Sequence, residues 1–382
     1  MLLIAIIFAG CKKPYDPPAV GATNNYLVVE GVINSGSDST IIKLSRTVKL
    51  SSNVIINPEQ NAIVTVESDQ NGVYPLAETA RGCYTAAGLN LDNTRNYRLR
   101  IKTVSNQQYL SDFVPVKVTP PIDSIGFKVV NIGGTGIQIY ANAHDPNNNT
   151  RYYRWDYDET WQFHSFYESQ RVSNGRQIGQ RTPAQMIYYC FGNTVSSNIV
   201  LGSSAKLKQD IIYQTPITTI ASTSEKIETK YSILLRQYAL TGEAFTFWQN
   251  LKNNTEQLGS IFDAQPSQIN GNIHNLNNAA EPVIGYISVC TVQTKRVYIT
   301  KDQLPPSWDT LYPYTCKQDS NYYYNPRNGE NDVLLNLWRI PNDDIPTNQL
   351  FNGNDSIGYF SSTIGCVDCR LRGTTQQPAF WR

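Results

Sequence analysis

In Tyr97-Arg-Leu-Arg-Ile-Lys-Thr103, apolar and charged side chains alternate, and Tyr97, Leu99 and Ile101 share one side. Successive side chains of a β-strand point to opposite faces, so this stretch predicts a strand with one buried face. Other strand-like stretches lie before and after it, separated by turn signals: Tyr26–Ile33, Thr40–Thr47, Ala62–Glu67 and Tyr109–Val118. Short strands at this spacing are typical of a β-sandwich, and we expect residues 25–118 to form one immunoglobulin-like module.

The two prolines of Thr119-Pro120-Pro121 interrupt this pattern and mark the predicted domain boundary. We expect residues 119–382 to form a larger β-rich domain, so that the whole fold is mainly β. Its predicted strands are Ser124–Val130, Gly136–Ala143, Tyr153–Tyr157, Gln185–Phe191, Ile211–Tyr213, Lys230–Tyr238, Val283–Val292 and Arg296–Thr300. The region from residue 301 onward is rich in Pro, Tyr and Asn, which favours loops.

One segment of the larger domain has the pattern of an amphipathic helix, over residues 241–258. Thr241 can cap its start, and Gly259 is a natural stop. Its apolar residues recur at helical spacing and share one face. They are Ala244, Phe247, Trp248, Leu251 and Leu258.

A short apolar leader, residues 1–10, ends at Cys11 with the small residues Ala9 and Gly10 before it. A membrane-spanning helix needs about 20 apolar residues, whereas a cleavable secretory leader needs about 7–15. This pattern is what a lipoprotein signal peptidase requires, and we expect Cys11 to become acylated. Two or more acyl chains would hold the protein stably in a membrane. Residues 11–24 would then be a polar, proline-stiffened tether.

Composition excludes some partners. The chain has 32 basic and 31 acidic residues, and its formal net charge is +1. A nucleic-acid-binding surface would need a basic stripe, which the sequence lacks, so we expect no nucleic-acid partner. Tyrosine is abundant, with 24 residues. Together with many Asn, Ser, Thr and Gln residues, it favours β-sheet with long polar loops outside the cytoplasm.

Six cysteines follow Cys11, an even number that indicates disulfides in an exported chain, although the pairing stays open. They are Cys83, Cys190, Cys290, Cys316, Cys366 and Cys369. The Cys366-Val-Asp-Cys369 motif lacks a second pair of zinc ligands near it, so a structural disulfide role is favoured. None of the three histidines has a metal-ligand partner at a suitable spacing. We therefore expect neither a metal nor another cofactor.

The aromatic residues between positions 153 and 161 allow two interpretations. Tyr153, Trp155, Tyr157 and Trp161 could form a ligand-binding surface, because aromatic rings supply large rigid contact areas. The same residues could instead fill the core.

Three carboxylates, Asp156, Asp158 and Glu159, lie among these rings. A hydrolase that cleaves sugars uses two opposed carboxylates, so Asp156 or Glu159 could serve in catalysis. The alternative is that the charges point to water.

Several stretches resemble a known family, the uncharacterised Bacteroidetes lipoproteins catalogued as domain of unknown function 4249. The stretches are Cys11–Pro18, Tyr26–Ile33, Tyr153–Thr160, Gly259–Asn272, Val283–Tyr286, Cys366–Arg370 and Pro378–Trp381. The family has no established activity. Its members are typically taken to be outer-membrane lipoproteins, often encoded beside TonB-dependent transporters, which implies an accessory role by association only. The resemblance also implies that Cys190, Cys316, Cys366 and Cys369 form the core set of cysteines, with Cys83 and Cys290 as extras.

Four short stretches are similar to the O-glycosylation pattern of the same phylum, in which Asp precedes a modified Ser or Thr. They would place sugars on Ser39, Ser124, Thr310 and Ser356. We expect one or two of these sites to be used.

We therefore expect a non-enzymatic lipoprotein of the outer membrane, which serves a TonB-dependent transporter or another envelope complex. The cell surface is the expected location, and the periplasmic face is left open. One alternative is a surface module that binds a glycan or a peptide, and the other is a carboxylate-dependent hydrolase.

Overall fold

The structure is a computed structural model that describes residues 25–48, 56–131, 134–256, 271–338 and 343–382. The leader at 1–10, Cys11 and the tether at 11–24 lie outside these residues, so the lipid anchor stays a prediction. The described chain is mainly β, as the sequence predicted.

The N-terminal part forms a two-layer sandwich. Its strands are β1 (Leu27–Asn34), β2 (Thr40–Arg46), β3 (Asn57–Pro58), β4 (Ile63–Ser68), β5 (Val73–Ala80), β6 (Cys83–Ala86), β7 (Asn96–Lys102), β8 (Gln108–Ser111) and β9 (Val114–Pro115). One layer has the order β1-β2-β6, and the other has the order β4-β7-β8. β5 joins the layers, because its first half pairs with β4 and its second half with β6. This antiparallel arrangement has the strand order of an immunoglobulin-like sandwich.

Tyr97, at the start of β7, is completely buried in the core of this sandwich. Its hydroxyl accepts a hydrogen bond from the Asp92 N–H at 2.9 Å and donates to the Asp92 carbonyl at 3.2 Å. A tyrosine that bonds back to the preceding loop at this strand is a typical feature of immunoglobulin-like sandwiches. Tyr97 thus fixes the loop before β7 and fills the core at the same time.

A second sandwich follows. The next strands are β10 (Ile122–Val130), β11 (Gly136–Asp145), β12 (Tyr152–His164), β13 (Arg171–Ser173), β14 (Ile178–Gln180), β15 (Tyr189–Val195), β16 (Val200–Ser203), β17 (Asp210–Ala221), β18 (Lys230–Ala239), β19 (Ile273–Asn275), β20 (Val289–Cys290) and β21 (Val292–Thr300). β10, β11 and β17 form one sheet; β15, β12, β18 and β21 form the other, with β16 also paired to β12. The two sheets bury one hydrophobic core between them.

The predicted helix is α1 (Gly242–Glu256). The Thr241 hydroxyl accepts a hydrogen bond from the Ala244 N–H at 3.2 Å, which confirms the predicted cap. Ala244 and Phe247 are buried, and Trp248 and Leu251 pack in the same cluster. Residues 257–259 lie outside the described chain. α1 therefore covers the junction of the two sandwiches, where its cluster includes residues of both.

Residues 271–291, which we call the closing segment, return to the first sandwich and pair with both of its layers. β19 extends one layer beside β8, and β20 runs parallel to the end of β1 in the other layer. Between them, the Ile284 N–H donates to the Leu27 carbonyl at 2.9 Å, and the Val29 N–H donates to the Ile284 carbonyl at 2.8 Å. Nothing in the sequence pattern indicated this return, which makes the first sandwich discontinuous along the chain.

The C-terminal region is rich in loops, as predicted, but it also contains a small sheet. Its strands, in the order β22-β24-β23, are β22 (Asp319–Tyr322), β23 (Asp344–Asn352) and β24 (Asp355–Thr363). The short helix α2 (Ile364–Val367) follows, and a π-helical turn spans Val333–Leu337. Across the described chain, single 3-10 turns span Pro183–Gln185, Glu225–Ile227, Lys301–Gln303 and Cys369–Leu371.

A substitution at Gly285 tests the close contact between the closing segment and β1. The φ of Gly285 is +141°, and a Cβ placed there would lie 2.2 Å from the Val29 carbonyl oxygen. We expect Gly285→Ala to lower the free energy of unfolding by at least about 2 kcal/mol, because strain and a backbone clash combine. Gly353→Ala is the control, since Gly353 also has a positive φ but no atom lies within 4 Å of its Cβ position. Urea unfolding measures both variants, and equal losses would contradict a close backbone approach at Gly285.

Candidate functional site

The four aromatic residues proposed as a ligand surface lie in the core of the second sandwich. Tyr153, Trp155, Tyr157 and Trp161 are between 0 and 9 % exposed. They occupy alternate positions of β12, and this face of the strand points toward β11 and β17. The ligand-surface interpretation of these residues is therefore wrong, because the alternation places every one of these rings on the inward face.

Buried polar atoms of these rings have partners inside the core. The Trp155 Nε1–H donates to the Gln237 Oε1 at 2.8 Å, and the Tyr153 hydroxyl donates to Asp210. Burial, together with the neighbouring Asp210, raises the pKa of Tyr153 far above its usual range. These contacts indicate a structural role for both rings.

The structure also separates the carboxylates that the hydrolase alternative required. Glu159 lies on the buried face, where its carboxylate contacts the Lys226 Nζ at 2.6 Å and accepts a hydrogen bond from the Tyr231 hydroxyl at 2.8 Å. Asp156 lies on the opposite, outward face of β12. Asp156 and Glu159 thus lie on opposite faces of one strand and do not form an opposed carboxylate pair, so a hydrolase that uses either residue stays a hypothesis without this support.

The outward face of β12 carries a charged row instead. The Arg236 guanidinium, from β18, bonds Asp158 with two hydrogen bonds of 2.8 Å and also bonds Asp156. Its hydrogen bonds to Asp158 hold the pKa of that carboxyl below its usual range. Asp158 therefore stays ionised and paired at neutral pH.

This charged row forms one wall of a cleft between the two sandwiches, which we call the smaller cleft. Its volume is about 610 Å³. The second sandwich contributes Arg154, Asp156, Arg236 and Tyr238, and the first contributes residues of β1 and β2. The residues that the first sandwich adds include Glu30, Asp38, Ser39 and Lys43. The smaller cleft is thus polar on both sides.

A second cleft, which we call the larger cleft, lies at the same junction and has a volume of about 1140 Å³. It is bounded by the chain after β8, by the loop before β12, by the start of α1 and by the closing segment. Phe113 is 41 % exposed at its edge, under the Arg98 guanidinium at 4.5 Å. Other lining residues are Arg151, Tyr152, Glu243, Asn250 and Tyr286.

The four cysteines implied by the resemblance form two disulfides. Cys190 pairs with Cys369, and Cys316 pairs with Cys366, so the C-x-x-C residues bond to different partners. The first bond ties the C-terminal region to β15 of the second sandwich. Cys83 and Cys290 are free, and burial raises the pKa of the Cys290 thiol to about 12. At neutral pH this thiol is therefore protonated and poorly nucleophilic.

The proposed glycosylation sites differ in accessibility. Ser39, in the turn between β1 and β2, is exposed, as is Ser124 on β10. Thr310 and Ser356 are half-buried, and the Ser356 hydroxyl accepts a hydrogen bond from the Gln349 amide at 2.6 Å. O-glycosylation of these four residues stays a prediction, and their greater exposure makes Ser39 and Ser124 the more accessible sites.

No group of three or more His, Cys, Asp or Glu side chains among the described residues could hold a metal ion. No helix within the described ranges is long and apolar enough to span a membrane.

The fold and the clefts define a protein of two joined β-sandwiches, with two clefts at the junction that are lined by both charged and apolar residues. The chain belongs to the family described as Domain of unknown function (DUF4249), whose model matches residues 12–296. The matched residues include the first sandwich, the closing segment and the second sandwich as far as Arg296 in β21. Of the four disulfide cysteines, they include only Cys190. No curated protein matches the chain.

Trp155→Ala distinguishes a core residue from a ligand contact. Trp155 is 1 % exposed, and the variant leaves a large cavity and removes the hydrogen-bond donor of the Gln237 Oε1. We expect a loss of about 3–5 kcal/mol in the free energy of unfolding. Tyr213→Ala, at a ring that is 75 % exposed, should stay within about 0.5 kcal/mol of the original protein. An unchanged urea midpoint for Trp155→Ala would contradict the core assignment.

Proposed function

We propose that this chain is a lipid-anchored, non-enzymatic binding subunit of an outer-membrane complex, held there by acylated Cys11. Its partner would be a TonB-dependent transporter or another envelope protein. The cell surface is its proposed location. The observation that carries the proposal is the larger cleft, at the junction of the sandwiches, together with the position of the first strand.

The N-terminal end of β1 lies far from the junction. Leu27 pairs with Arg46, whereas Asn34, at the other end of β1, pairs with Cys290 next to β21. An eight-residue strand is about 26 Å long. A tether before residue 25 would therefore enter at the end of the first sandwich that is remote from the clefts. In the proposed arrangement, both clefts and the second sandwich would lie at the end of the molecule that is remote from the tether.

The larger cleft suits a polypeptide partner. Its volume of about 1140 Å³ exceeds the roughly 300–1,000 Å³ that small-molecule sites usually occupy. It combines an exposed ring, Phe113, with charges of both signs, including Arg151 and Glu243. Aromatic anchors with a polar rim are typical of protein interfaces.

The anchor is tested in the native host with two cysteine variants. We expect Cys11→Ala to move the protein from the membrane fraction to the soluble fraction, because it removes the acylated thiol. Cys83→Ala, at a free cysteine of the first sandwich, should leave the protein in the membrane fraction. Mass spectrometry of the native N-terminus then checks the acyl chains. An unmodified Cys11 would contradict the proposal.

The partner is tested in the same membranes with a photo-crosslinking residue at position 113 or, as a control, at position 351. Phe351 is 54 % exposed at the end of β23 and does not line the larger cleft. We expect position 113 to crosslink to an outer-membrane protein and position 351 to give much less product. Recovery of the protein only as an uncrosslinked monomer after mild detergent extraction would contradict the proposed role.

A further inference from the structure

Arg154, in the smaller cleft, is held in place by two aromatic rings. Its guanidinium carbon lies 4.6 Å from the ring centre of Tyr238 and 4.3 Å from that of Trp248. Tyr238 is the neighbour of Arg154 on β18, and Trp248 belongs to α1. Cation–π contacts with both rings restrict the guanidinium, which is therefore oriented before any ligand arrives.

Among the described residues, Arg154 has an ion pair with Asp156 but its Nε lacks a hydrogen-bond acceptor. A guanidinium carries five N–H donors, and the Nε of Arg154 is buried without a partner. The Asp156 Oδ2 lies 3.7 Å from its Nη2, which is beyond hydrogen-bond distance. The side chain is only 15 % exposed, so bulk water has little access to it. An unpaired charged donor in such a place is costly unless something else bonds it.

Arg236 explains why the nearby acids make no hydrogen bond to Arg154 and why Asp156 contributes only a longer ion pair. Arg236 bonds Asp156 through its Nε and Asp158 through both terminal nitrogens. The two arginines share one face of the sheet, yet Arg236 makes hydrogen bonds to two carboxylates, whereas Arg154 has only the longer ion pair with Asp156 at 3.7 Å. The geometry leaves the donors of Arg154 for a group that the chain does not supply.

The smaller cleft has the size and the charge for a ligand with one negative group. Its volume of about 610 Å³ falls within the range of small-molecule sites. Lys43, Arg154 and Arg236 are balanced there by three acids, which are Glu30, Asp38 and Asp156. A ligand with several negative charges would be repelled by those acids, whereas a single carboxylate has a matching fork in Arg154.

We infer that the smaller cleft binds a small molecule through a carboxylate group, which accepts hydrogen bonds from the guanidinium of Arg154. The rings of Tyr238 and Trp248 position that guanidinium, and Glu30 and Asp38 face the remainder of the ligand from the first sandwich. A carboxylate ligand with a positive or neutral polar group fits both walls. The site does not depend on the membrane role proposed above, and either proposal can fail alone.

The test uses the full chain and acetate as the probe, followed through the indole N–H signal of Trp248 in NMR spectra. We expect acetate to shift this signal in a saturable way, with a dissociation constant of about 10 mM for so small a probe. Chloride at the same ionic strength should not. Inorganic phosphate should bind more weakly than acetate, because the three acids oppose its second charge.

Two variants complete the test. Arg154→Lys keeps the charge next to the rings but lacks the fork, and we expect acetate binding to weaken at least about tenfold. Arg296→Gln is the control, because Arg296 lies on the same sheet face but contacts Phe380 and bonds Ser232 outside this cleft. It should bind acetate normally. The amide spectrum of each variant checks its fold.

Three results would overturn the inference. The first is an indole signal that acetate does not shift in a saturable way. The second is equal acetate binding by Arg154→Lys and by the original protein, which would place the anion elsewhere. The third is tighter binding of phosphate than of acetate, which would replace the carboxylate by a different ligand class.

Discussion

Backbone hydrogen bonds between the closing segment and the first sandwich determine how the whole molecule is arranged. An exposed strand edge presents unpaired N–H and C=O groups, and both layers of this sandwich have such an edge. Residues 271–291 cover both edges, through β19 and through Ile284 and β20. The same segment continues directly into β21 of the second sandwich. The closing segment thus completes the first sandwich and leads directly into β21, a strand of the second sandwich.

The junction has further bonds that limit the position of the two sandwiches. The Lys117 N–H donates to the Val289 carbonyl at 2.9 Å. Thr119 bonds the Thr291 carbonyl through its hydroxyl, which also accepts from the Ala239 N–H at 3.0 Å. Because these contacts are made by backbone groups and short side chains, both clefts are formed before a ligand or partner binds. Such pre-organisation lowers the entropic cost of binding.

The alternation of apolar and polar side chains along the sequence predicted many of the strands of this fold. The strand at Tyr97–Thr103 and the cap at Thr241 both appear in the structure, because such patterns depend on neighbours along the chain. Alternation in β12 indicated two faces but not which one is buried, so the rings of Trp155 and its neighbours had two interpretations. The structure decides this through β11 and β17, which come from other parts of the chain. The importance of Arg154 could not be predicted either, since its rings and its competitor Arg236 lie on β18 and α1.

The central claim is that the first sandwich is complete only with the closing segment. The direct measurement compares the thermal stability of residues 25–118 alone with that of a chain joining residues 25–118 to 271–291 through a flexible Gly/Ser linker. We expect the joined chain to give a dispersed, folded NMR spectrum and to melt at a clearly higher temperature than the shorter chain. Equal melting temperatures, with residues 25–118 fully folded by themselves, would contradict it.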